Sequence, residues 1–125
     1  MKSVVDRTAI ALAIVGVVGV SGCASYPVPN TKVASSEAAI RAAHETGSRD
    51  VPQAALHLKL AEEQLEQGKK LIRDNENERA SYVLSRAEAD AELALALSRA
   101  ESSKAKAGTA LDNVRAVRSG APTRN

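Results

Sequence analysis

Residues 51–73 read VPQAALHLKLAEEQLEQGKKLIR, residues 74–77 read DNEN, and residues 78–100 read ERASYVLSRAEADAELALALSRA. In the first run Val51, Ala54, Leu58, Ala61, Leu65, Gly68 and Ile72 recur at intervals of three and four. That spacing puts side chains on one face of an α-helix. Ala80, Leu84, Ala87, Ala91, Ala94 and Ser98 do the same in the second run. The DNEN between them is turn chemistry, because Asp and Asn side chains bond the nearby backbone. Folding the chain back there brings Ile72 to Ala80, Gly68 to Leu84, Leu65 to Ala87, Ala61 to Ala91 and Leu58 to Ala94. Large side chains mostly face small ones, so the backbones approach closely and the gap stays filled. The expected fold is all-α: an elongated antiparallel helical hairpin with a short preceding helix and a long C-terminal helix.

Toward the C-terminus no proline interrupts the helix, which is expected from near Glu78 to about Arg118. Gly108 is its weak point, costing about 1 kcal/mol relative to alanine. The hairpin partner of Val51 lies near residue 100, so everything later overhangs. The overhang keeps a stripe of Ala100, Ala107, Leu111 and Val114, interrupted by Lys104. Two outcomes are open: fraying after Gly108, or docking of the stripe on another copy or an envelope partner. In the second, Arg115 and Arg118 stand ready for acidic groups. Residues 119–125 are expected to be a disordered tail.

Toward the N-terminus, Asp50 is the expected cap of the hairpin's first helix, with Pro52 in its first turn, where a missing N–H costs nothing. The short preceding helix is expected to open at Ser35-Ser36-Glu37 and run to about Thr46, with Gly47 ending it. Val33, Ile40 and Ala43 share its inner face, and Leu56 and Leu60 offer it a second stripe to pack on. The helical domain is thus expected over 34–118. Residues 23–33, with Pro27 and Pro29, read as an extended tether.

Lys2 and Arg7 precede an uncharged run, Thr8 to Val20. A basic start and a short apolar run make a secretory signal. The run is well short of the roughly 20 residues of a membrane span. It ends in Val20, Ser21, Gly22 and Cys23, which resembles the bacterial lipobox. The resemblance implies cleavage after residue 22 and covalent lipid on Cys23, which is the membrane anchor. Two or more acyl chains give stable anchoring. Ala24 stands where an aspartate would resemble the enteric inner-membrane retention signal. The expected location is therefore the outer membrane, facing the periplasm. Cys23 is the only cysteine, so no intrachain disulfide can form.

Composition narrows the function. The chain has 24 alanines, no Phe, no Trp and two Tyr, so thin packed helices fit better than a globule with a large core. Without Lys2, Arg7 and Asp6 there remain 15 basic and 14 acidic residues. Nucleic-acid binding is not expected, since it calls for a basic stripe and stacking aromatics. From Arg99 onward six basic residues meet two acidic ones, which suits a solvated helix C-terminus or attraction to anionic cell wall or lipid. His44 and His57 are expected on the surface, in no zinc-ligand spacing. Glu62, Glu63 and Glu66 lie among Lys59, Lys69 and Lys70, and read as ordinary salt pairs along a helix. No catalytic residues, no metal and no cofactor beyond the lipid are expected, and no enzymatic activity.

Ser36-Glu37-Ala38-Ala39-Ile40, then Ala55, His57, Leu58, Ala61 and Leu65, then Ala87, Asp90, Ala91 and Ala94 resemble a family of bacterial envelope lipoproteins. Their shared helical domain has no assigned function, and in some relatives it precedes an OmpA-like peptidoglycan-binding domain. Ala87 to Ala107 also resembles the alanine-zipper coiled coils of short murein lipoproteins. Thr123-Arg124-Asn125 lacks the terminal lysine through which the best known of those join the wall. The expected role is structural or scaffolding, through helix–helix contacts with an envelope protein, with peptidoglycan or in a homo-oligomer. The alternative is a small accessory subunit of an envelope transport or assembly machine.

Overall fold

The computed structural model describes residues 25–120. Three helices pack side by side: α1, Asn30–Glu45; α2, Pro52–Arg73; and α3, Asn77–Arg118. A single 3-10 turn, Ser48–Asp50, joins the first two, and no strand occurs among the described residues. The signal segment, Val20, Ser21, Gly22, Cys23 and the tail beyond 120 lie outside the described residues.

The hairpin forms in the expected register. Leu58, Ala61, Leu65, Leu84, Ala87, Ala91 and Ala94 join one buried cluster, and Leu58 and Leu84 are no more than 2% exposed. Gly68 marks the closest approach. A Cβ there would stand 2.6 Å from Cγ and Cδ2 of Leu84, so only glycine leaves room for that leucine. Fully burying a leucine is worth about 1.5–3 kcal/mol, and the alanines opposite let the helices come near enough to do it.

The turn between α2 and α3 is closed by backbone geometry. Asn75 takes a left-handed φ of 61°, a conformation Asn tolerates better than most residues. The Glu76 N–H donates to the Leu71 carbonyl at 2.8 Å, and the Asn75 N–H to that of Ile72 at 3.0 Å. These two bonds satisfy carbonyls that the end of α2 would leave unpaired. At the other end of α1, Gly47 also adopts a left-handed φ, 75°, as its place after the helix requires.

Several expectations are corrected. α1 begins at Asn30 rather than Ser35, because the Pro29 carbonyl accepts from the N–H groups of Lys32 and Val33. Pro29 is buried and opens a face that continues through Val33, Ser36, Ile40 and Ala43. Ser36 is therefore an interior residue, not a cap. The tether is correspondingly shorter, and it is held: the Tyr26 carbonyl accepts from Nδ2 of Asn77 at 2.9 Å, and the Tyr26 hydroxyl donates to Oγ of Ser81 at 3.4 Å. Asp50 lies in the 3-10 turn, and Val51 is the residue before α2, with no side-chain cap. Leu71 is buried, whereas Ile72 is half-buried against the cluster. Leu71 follows His57 and Gln64 at intervals of seven, along the flank of α2 that meets Asp90 of α3.

Leu56 is 58% exposed and Leu60 is half-buried, so they make no seam for α1. α1 meets α2 instead at Glu62 and Lys69, around the helix from Leu56. It lies mainly against α3, running parallel to it. α3 has 42 residues, about 63 Å at 1.5 Å per residue. Its burial ends at Ser98, where α1 and α2 turn back.

Candidate interaction site

Polar groups hold α1 in place at both ends. Oγ of Ser36 is fully buried and donates within reach of two carbonyls, Leu84 at 2.8 Å across the interface and Lys32 at 2.7 Å in its own helix. Ser48 sits 3.3 Å from the Ala94 carbonyl, and Oγ of Ser98 is 2.8 Å from Oγ of Ser48. A buried hydroxyl must find a partner, and these find theirs across the gap between helices. The heptad spacing of Ser36 with Val33, Ile40 and Ala43 is the sequence signal for this role.

The histidines, expected on the surface, keep 30% and 29% of their side chains exposed and also make contacts across helices. Nε2 of His44 lies 2.7 Å from Oε1 of Glu62, which Nη2 of Arg49 also approaches at 3.6 Å. Nδ1 of His57 lies 2.9 Å from Oδ1 of Asp90, and Nε2 of Gln64 donates to Oδ2 at 2.8 Å. Glu62 therefore looks to α1 and its turn rather than along α2. Glu63 does take the expected helical pair, with Lys59 at 3.8 Å. Lys69 is shared between Glu37 of α1 at 2.9 Å and Glu66 at 3.4 Å. The hydrogen bond it donates to Glu37 raises its pKa above the ordinary lysine value; desolvation works against this and Glu66 adds to it. Lys32 and Glu88 pair at 3.5 Å between α1 and α3.

These groups are tied to one another in pairs and threes that span the helices. Among the described residues no three His, Cys, Asp or Glu side chains gather as a metal site. The grooves of the bundle are open to solvent. One of them, at the step where α3 leaves its neighbours, is lined by Thr46, Ser98, Arg99, Ser102, Ser103 and Lys106.

Beyond that step α3 continues with no neighbour among the described residues. Helix runs unbroken through Gly108 to Arg118, and an added Cβ at Gly108 would touch nothing within 4 Å. Ala100, Ala107, Leu111, Val114, Arg115 and Arg118 are all exposed. Arg115 pairs with Asp112 of its own helix at 3.1 Å, and Lys104 with Glu101 at 3.6 Å. Leu111 and Val114 are 57% and 56% exposed, and Val117, absent from the expected stripe, 66%. Sequence reading also passed over Tyr82 and Leu93, which stand exposed on the part of α3 that lies in the bundle.

Among the described residues no helix is long and apolar enough to cross a membrane. Comparison with curated proteins and with solved structures finds no match. Residues 31–110, which take in α1, the whole hairpin and the first part of the overhang, match a domain of unknown function, DUF4398, and the chain belongs to that family.

Proposed function

We propose that this chain is a lipid-anchored envelope protein that acts as a scaffold, presenting the free end of α3 for helix–helix contact. The observation that carries this reading is the opposed placement of two ends. Tyr26 is bonded to Asn77 and Ser81 at the start of α3, so the described chain begins beside the α2–α3 turn, and Cys23 is three residues before Tyr26 in the sequence. The exposed Leu111, Val114 and Val117 lie toward the far end of the same helix. A lipid on Cys23 would hold the turn end at a membrane, and α3, lying along the membrane surface, would carry its apolar arm about 60 Å along its axis. Exposed apolar side chains gathered on one helix mark a contact surface. The lipobox reading of Val20-Ser21-Gly22-Cys23, the outer-membrane location and the kinship with lipoproteins that precede OmpA-like domains belong to the same proposal.

Detergent partitioning of the native protein tests the anchor. The mature protein is expected to enter the detergent phase and to begin at a modified Cys23, while Cys23→Ala leaves an unprocessed precursor. A mature native protein with a free Cys23 thiol would refute the anchor. In-cell crosslinking from Val117 tests the scaffold, with a trapped envelope component as the expected outcome.

A further inference from the structure

We infer that the outer face of α3 is a seam for a second copy of this chain, running antiparallel. The inference names the partner of the contact surface proposed above. It rests on α3 being that surface, and not on the lipid.

The core positions of α3 are Ala80, Leu84, Ala87, Ala91, Ala94 and Ser98. The residues two further on are Tyr82, Arg86, Ala89, Leu93, Ala96 and Ala100. Two residues are about 200° of helix, so this second series occupies the opposite face, and all of it is exposed. The same three-and-four spacing continues along the arm through Ser103, Ala107, Ala110, Val114 and Val117. Arg86 is the one charge in a line about 50 Å long. Tyr82 and Leu93 are 67% and 43% exposed, a large outlay of apolar surface on a helix that already buries its inner face. A heptad line on an outer face is the signature of a coiled-coil seam.

Charge decides the occupant and its direction. In an antiparallel pair, Ala96 of one copy faces Ala100 of the other, Ala89 faces Ala107, and Tyr82 faces Val114. Flanking this seam, Glu92 then falls beside Lys106 of the second copy and Glu76 beside Arg118, each twice by symmetry; Lys104 falls beside Asp90, whose two oxygens already hold His57 and Gln64. Arg86 faces only Ala110. The one clash is Arg99 with its own counterpart at the two-fold axis. In a parallel pair Arg86 would face Arg86 inside the seam and Arg99 would lie beside Lys104, with no opposite-charge pair in return. The antiparallel register also covers each arm, because residues 101–118 of one copy lie along 78–95 of the other.

Paired cysteines test this in the full chain. Ala89→Cys and Ala107→Cys are both at exposed positions, so neither disturbs the bundle. Mixed under oxidising conditions, the two variants are expected to form a disulfide heterodimer, while neither links to itself through the new cysteine. The wild-type chain identifies any link made through Cys23. Self-linking of Ala89→Cys alone would mean a parallel pair and overturn the inference. So would a mixture without any 89–107 link. If Ala107→Cys instead links to a different envelope protein, the scaffold reading stands and the second copy is excluded. A charge swap gives an independent reading: Glu92→Lys or Lys106→Glu alone should weaken dimerisation several-fold, and the two together should restore it. Failure of the double variant to recover would count against this register.

Discussion

The two halves of α3 are one unbroken helix with opposite reasons to exist. From Asn77 to Ser98 it is half-enclosed by α1 and α2, and its alanines at 80, 87, 91 and 94 are wholly buried. From Glu101 to Arg118 nothing among the described residues covers it, and almost every residue is exposed. Most helical stability in water comes from packing an apolar face, and isolated helices of this length are marginal. The inner half is therefore held by its neighbours, and the outer half by propensity and by whatever covers it. The sharpest test of this contrast compares Leu84→Ala with Leu111→Ala. Leu84 is fully buried against Gly68, and its truncation leaves a cavity costing about 2–5 kcal/mol. Leu111→Ala should leave the thermal transition of the bundle within about 0.5 kcal/mol of wild type. Equal losses from the two variants in dilute monomer would show that the arm is folded against the bundle after all.

The glycines repeat the contrast with a change of sign. Replacing an interior helical glycine by alanine ordinarily gains about 1 kcal/mol. Gly108→Ala should do so, raising helix content by circular dichroism, because the added methyl meets open space. Gly68→Ala should destabilise by about 1–3 kcal/mol, because its methyl would lie inside the Leu84 side chain. Pairing Gly68→Ala with Leu84→Ala should recover part of the loss. Without such recovery, the close approach at Gly68 is not what fixes the register.

Legibility of the sequence follows from which interactions have a period. The hairpin register was readable because Leu58, Leu65 and Leu84 recur at helical intervals opposite alanines and Gly68. The direction of α1 was not readable. It depends on hydroxyls and charges: Ser48, His44 and Glu62 carry no period until their partners are known, and Ser36 keeps the period of Val33, Ile40 and Ala43 without the apolar side chain that marks a core position. A serine at the start of an apolar run looks like a cap. Pro29 moved the helix start upstream and turned Ser36 into a core residue. For the candidate site, Ala100, Ala107, Leu111 and Val114 were legible as a stripe on an overhang. Its extension through Leu93 to Tyr82 was hidden, because in the sequence those residues interleave with the core positions two before them.

Ser36 offers a smaller test of how the enclosed half is held. Ser36→Ala removes the hydroxyl that reaches the Leu84 carbonyl. That carbonyl lies within α3 and keeps its helical partner, so no buried group is orphaned. The loss should be about 1 kcal/mol, read as a shift in the denaturant midpoint. Ser103→Ala on the arm should shift it by less than the error. A loss well above that at Ser36 would mean that α1 is docked chiefly by this hydroxyl.

The smallest effect belongs to the ion pairs, and pH separates the two halves there. Lys69 joins α1 to α2 through Glu37, and its pKa is raised above the ordinary lysine value. A group whose pKa is higher folded than unfolded stabilises fully below its unfolded pKa and loses that contribution as pH rises through the folded one. The Lys69 contribution is therefore complete at neutral pH and fades only in strongly alkaline solution. Its side chain is a third exposed, so solvent and salt keep the effect small. Lys69→Met should lower the melting temperature slightly at neutral pH, and the gap to wild type should close as the solution becomes strongly alkaline. Among the described residues Lys104 pairs with Glu101 of its own helix, so Lys104→Met should leave bundle melting unchanged throughout. A Lys69→Met gap that stays constant through the alkaline range would place its effect in the packing of the lysine stem instead of its charge.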